Sequence, residues 1–97
     1  MTQFKGTPGP WFEYREGFST VYIEAKLRHG VIQEVAACGP TEEGQEAQSA
    51  NARLIAAAPE LLEALEMLVL FTPRTKRNAV VLHKALAAIA KATGEKK

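Results

Sequence analysis

The feature that most constrains this chain is the run Ala47–Phe71, dense in Ala, Leu and Glu and interrupted once, by Pro59. Those three residues are strong helix formers, whereas a proline has no amide hydrogen and its ring clashes with the preceding turn. The run therefore predicts two helices. The first extends from about Glu46 to Ala58. The second is opened by Pro59 and Glu60, where the missing amide hydrogen is tolerated and a carboxylate meets the helix dipole. At 100° per residue, Ala47, Ala50, Leu54 and Ala58 share one side of the first helix, with Ile55 at its margin; Gln48, Ser49 and Arg53 point elsewhere. The second helix buries Leu61, Leu62, Leu65, Leu68 and Val69 and exposes Glu60, Glu63 and Glu66. No other stretch gathers as many apolar residues, so the bulk of the core is expected here.

Upstream the hydrophobic period changes from 3.6 to 2. From Thr20 to Arg28, Val21, Ile23, Ala25 and Leu27 alternate with Tyr22, Glu24, Lys26 and Arg28, the pattern of a half-buried strand. Arg28-His29-Gly30 supplies a turn, Val31–Ala37 the returning strand, and Cys38-Gly39-Pro40 its stop. Trp11–Arg15 makes an earlier strand that ends at Glu16-Gly17. Residues 1–10 carry Gly6, Pro8, Gly9 and Pro10 and read as an extended arm, anchored by Trp11, Phe12 and Tyr14. Downstream, Thr72-Pro73 ends the second helix and caps a third. That helix runs from Pro73 or Thr75 to Thr93, with Ala79, Leu82, Leu86, Ile89 and Ala90 inward and Gly94 as a left-handed C-cap. The expected fold is α+β in a single domain spanning 1–97. It comprises the arm, a three-stranded antiparallel β meander over 11–38, and a helical part over 46–93 with two or three helices broken near Pro59. The apolar strand face needs a cover, and the helical leucines are expected to supply it.

Composition bounds the partners. With 12 basic and 11 acidic residues the net charge is +1, which argues against a dedicated nucleic-acid binder. Met67–Phe71, the longest apolar run, is far short of the ~20 residues of a spanning helix. One cysteine, Cys38, and an N-terminus without an apolar signal region point to the cytoplasm. A chain of 97 residues has a thin core, and three strands leave open edges. Together they favour a homodimer, through edge pairing or helix packing.

Two stretches carry a family likeness: Thr7-Pro8-Gly9-Pro10-Trp11, and the string from Ala50-Asn51-Ala52-Arg53-Leu54-Ile55 through Pro59 to Leu65. Together they cover about a quarter of the chain. They resemble a large group of small bacteriophage and prophage proteins with a Thr-Pro-Gly-Pro-Trp opening, a variable β segment and an Asn-Ala-Arg-Leu-Ile-Ala-Ala-Ala-Pro helix. The resemblance implies a phage-encoded accessory protein that acts on the host, by binding a defence protein or holding a nucleotide-like signal. It transfers no catalytic residue.

The residues themselves offer binding groups and no reaction centre. Asn51, close to the alanine-rich face, and Arg53 either bind a polar or phosphorylated ligand or serve structure, with Asn51 bonded to the backbone of the arm or hairpin. Trp11 is either an interface anchor or the plug of a small core. Arg74, Lys76 and Arg77 form a basic joint that could meet phosphate or remain an ordinary exposed loop. His29, Cys38 and His83 have no metal-ligand spacing, and no nucleophile–base pair or phosphate-cradling loop is present. The expectation is a non-enzymatic protein without cofactor or metal. It binds a host protein or nucleotide-like ligand near Trp11, Asn51 and Arg53. The alternative is a nucleic-acid-associated regulator using Arg74, Lys76 and Arg77.

Overall fold

The alternation that starts at Thr20 builds the central strand β2 (Thr20–Lys26), in which Val21, Ile23 and Ala25 are buried and their neighbours are not. In a computed structural model, which describes residues 3–17 and 19–95, β2 pairs antiparallel with β1 (Trp11–Glu16) on one side and β3 (Ile32–Cys38) on the other. Trp11 lies opposite Ala25 and Arg15 opposite Val21, while Val21 also faces Cys38. The link from β2 to β3 is a turn of 3₁₀ helix at Arg28–Gly30, with His29 at φ 71° and Gly30 at φ 80°. Glycine accepts that left-handed geometry readily, and His29 adopts it beside one. The turn takes Leu27 out of the strand, so the alternating face ends at Ala25. A register shift between Ile23 and Glu24 puts one extra residue, Val35, into β3.

Three helices follow, α1 (Gln45–Ala56), α2 (Ala58–Phe71) and α3 (Ala79–Thr93), so the fold is α+β as the two hydrophobic periods predict. Pro59 breaks the long run: α1 closes at Ala57, whose amide donates to the Arg53 carbonyl at 3.0 Å, and α2 restarts at Ala58. The start of α3 differs from the expectation. Thr72 donates its hydroxyl back to the Leu68 carbonyl and so finishes α2 without capping its successor. Thr75 and Asn78 exchange amide-to-side-chain bonds at 3.0 and 3.3 Å, and Asn78 Nδ2 donates to the Pro73 carbonyl at 2.8 Å. These bonds hold 73–78 as a loop and delay α3 to Ala79. Ala79, expected inward, is exposed. Gly94 ends α3 at φ 76° in the left-handed cap that the sequence predicts.

The chain divides into two compact units, one of Thr7–Glu60, the other of Met1–Gly6 with Leu61–Lys97. In the first, Val21, Ile23 and Ala52 form the core, with Trp11, Val35, Ala36, Cys38, Ile55 and Ala56 against it. Within this unit the cover over the strand face is thus the small-residue side of α1. Alanine at 52 and 56 lets the helix backbone approach the pleated surface closely. The buried side of α1 is also turned from its expected position: Leu54 is 65% exposed and Gln48 is 1% exposed. In the second unit, Val69, Leu82 and Ile89 form the core with Leu62, Leu65, Ala85 and Leu86. Leu61 and Leu68, expected inward, are exposed.

Gln48 explains the turn of α1. Its amide donates to the Ser19 and Cys38 carbonyls, both at 2.9 Å, and its oxygen accepts from Arg15 Nη2 at 3.3 Å. One buried amide therefore ties α1 to β1, to the residue before β2 and to the last residue of β3. A buried polar group so satisfied is compatible with the core, whereas an unpaired one would not be.

Candidate functional site

One face of the sheet is closed by α1. The other carries Phe12, Tyr14 and Glu16 from β1, Thr20, Tyr22, Glu24 and Lys26 from β2, and Ile32, Glu34 and Ala37 from β3, because paired residues share a face. Tyr14 lies directly opposite Tyr22, and Phe12 opposite Glu24. Phe12 and Tyr14 are 40% and 49% exposed. Glu24 is in turn opposite Glu34. Two like charges facing each other across a strand pair destabilise the sheet. The face thus combines aromatic rings, which attract a cation over their π-surface, with carboxylates that attract it by charge. Sequence reasoning grouped Phe12 and Tyr14 with Trp11 as anchors of the arm. The available signal was parity: Trp11 has the opposite parity in β1 and therefore the opposite face.

The predicted site residues fall in two units, Trp11, Asn51 and Arg53 in one and Arg74, Lys76 and Arg77 in the other. Trp11 is half-buried against the Val21, Ile23 and Ala52 core, and its Nε1–H donates to the Thr7 carbonyl at 3.1 Å. A Cβ placed on Gly9 would come within 2.7 Å of Pro59 Cβ, so the arm runs tight against the break between α1 and α2. The Thr-Pro-Gly-Pro-Trp opening and the proline-ended helix string therefore meet as packing partners. Asn51 and Arg53 are both exposed and flank the buried Ala52. Two residues apart on a helix they diverge by about 160°, so they do not converge on one ligand atom.

In the other unit Arg74, Lys76 and Arg77 are exposed together in the loop before α3. Arg74 and Thr75, with Ala79, Leu82, His83 and Leu86, line an open cleft of about 220 Å³. Lys76 and Arg77 lie outside that lining. Among the described residues no three His, Cys, Asp or Glu side chains are close enough together to hold a metal ion. No described helix is long and apolar enough to cross a membrane.

The chain matches, over residues 1–96, the family described as Salmonella phage P22 protein Y8K6. No curated protein and no solved structure matches it.

Proposed function

Since the chain belongs to the Salmonella phage P22 protein Y8K6 family, we propose that it is a phage-encoded accessory protein that acts in the host cytoplasm by binding, without catalysis, and that it works as a homodimer against a host protein. The observation that carries this reading is the open sheet face with Phe12, Tyr14 and Tyr22 beside Glu24 and Glu34. Aromatic side chains on a rigid surface are the usual anchors of protein interfaces. The opposed carboxylates select a partner that presents Lys or Arg.

A nucleotide-like ligand is less well supported. The cleft at Arg74 and His83 holds about 220 Å³ and is open, whereas small-molecule sites enclose ~300–1,000 Å³. The residues singled out for that ligand are also poorly placed for it, with the Trp11 indole bonded to Thr7 and with Asn51 and Arg53 diverging. A nucleic-acid role through Arg74, Lys76 and Arg77 has only local charge in its favour, against a net charge of +1.

The test compares host proteins captured by the wild-type chain, by Tyr14→Ala/Tyr22→Ala and by Asn51→Ala/Arg53→Ala, quantified by mass spectrometry. A host protein retained by the first and third and lost by the second is the expected result. Equal capture by all three would overturn the assignment to the sheet face. Thermal shifts with cyclic and linear nucleotides are expected to be flat, and a saturable rise would return the nucleotide reading.

A further inference from the structure

Helix α2 turns Leu62, Leu65 and Val69 toward the core it shares with α3. A second apolar stripe lies about 115° around the helix, at Leu61, Ala64, Leu68 and Phe71. Leu61 is 52%, Leu68 65% and Phe71 74% exposed, and Ala64 is exposed as well. The intervals are three, four and three residues, the a/d spacing with which one helix presents a continuous seam to another. From Leu61 to Phe71 of α2 that seam is about 15 Å long. Charge is divided along it. Glu60 flanks the N-terminal end, and Arg74, Lys76 and Arg77 follow the C-terminal end.

We propose that the occupant of this stripe is the same stripe on a second copy of the chain, packed antiparallel about a two-fold axis that passes midway between Ala64 and Leu68. In that arrangement Leu61 meets Phe71 of the partner subunit, and Ala64 meets Leu68 of the partner subunit, so a small residue faces a large one in the central layers. Glu60 falls beside Arg74 of the partner subunit, and symmetry repeats the pair at the other end. A parallel pairing would instead set Glu60 against its own copy and three cations against three. The charge distribution therefore selects the antiparallel dimer and disfavours the parallel one. The inference rests on the homodimer of the reading above and supplies its surface and its orientation.

Sedimentation equilibrium over a concentration series tests it, with circular dichroism confirming the fold of each variant. The wild-type chain is expected to reach twice its 10.6 kDa mass. Leu68→Asp, at a position already exposed, is expected to stay monomeric. Glu60→Lys and Arg74→Glu are each expected to weaken the dimer about tenfold, and their combination in one chain to restore it, because each swapped end again meets its opposite. Wild-type protein that is monomeric throughout would overturn the dimer itself, while the sheet-face reading could still stand on its capture assay. A Leu68→Asp chain that dimerises like wild type would overturn the stripe and point to pairing at the β1 or β3 edge. Double charge reversal without recovery would overturn the antiparallel orientation.

Discussion

At the scale of single residues, Gln48 and Gly9 hold α1 and the arm in place, one by hydrogen bonding and one by its lack of a side chain. Gln48 is buried, and its amide satisfies the carbonyls of Ser19 and Cys38 while accepting from Arg15. Gln48→Leu keeps the volume and strips those partners, so it is expected to cost about 2–3 kcal/mol, measured by urea denaturation. Ser49→Ala, which removes an exposed acceptor of Arg15, is expected to change stability by less than about 0.5 kcal/mol. Gly9 matters for space. A methyl there would press on Pro59 Cβ at 2.7 Å, and neither ring nor backbone can easily yield. Gly9→Ala is expected to destabilise by about 1–3 kcal/mol. Fluorescence of Trp11, two residues on at the start of β1, reports the loss as a lower unfolding midpoint.

The elements show what periodicity can and cannot resolve. The strand β2 was legible because its β-branched and polar residues alternate without ambiguity, and Val21, Ile23 and Ala25 are buried as that pattern requires. The break at Pro59 and the cap at Gly94 were legible because each rests on one backbone property of one residue type. The inward side of α1 was not legible, since alanines occur all round it and its two large aliphatics mislead: Leu54, placed inward, is a surface residue, while Ile55, placed at the margin, packs against the core. Assigning Gln48 outward followed from its polarity alone; its three strand-end partners lie 10 to 33 residues away in sequence. The open aromatic face was hidden for a related reason. It takes shape only when β1 and β2 are set in register. A pair of substitutions separates the two views of α1. The sequence pattern alone would make Leu54 the costly position and Ala52 the tolerant one. The observed burial predicts the reverse. Leu54→Ala should stay within about 0.5 kcal/mol of wild type, whereas Ala52→Leu overfills the contact with Val21 and Ile23 and should cost about 1–3 kcal/mol. Thermal or urea denaturation of the two variants decides it.

For the molecule as a whole, the question is why a 97-residue chain with a thin core keeps features that weaken it. Glu24 opposite Glu34 is one such feature, because the pair repels across β2 and β3 on the open face. A protein under selection for stability alone would replace one of them. Glu34→Lys turns the repulsion into an attraction and is expected to raise stability by about 0.5 kcal/mol, a gain of about 2–4 °C in melting temperature for a domain of this size. If the face exists to hold Lys or Arg of a host protein, the same substitution should abolish capture of that protein, since it sets a cation where the partner brings its own. Stability and binding would then move in opposite directions at one exposed position. A structural role for Glu34 predicts that they move together, and an idle surface position predicts that capture does not change. Differential scanning calorimetry and the capture assay on one preparation of Glu34→Lys distinguish the three, and a more stable variant that still binds its target at wild-type strength would remove the carboxylates from the recognition surface.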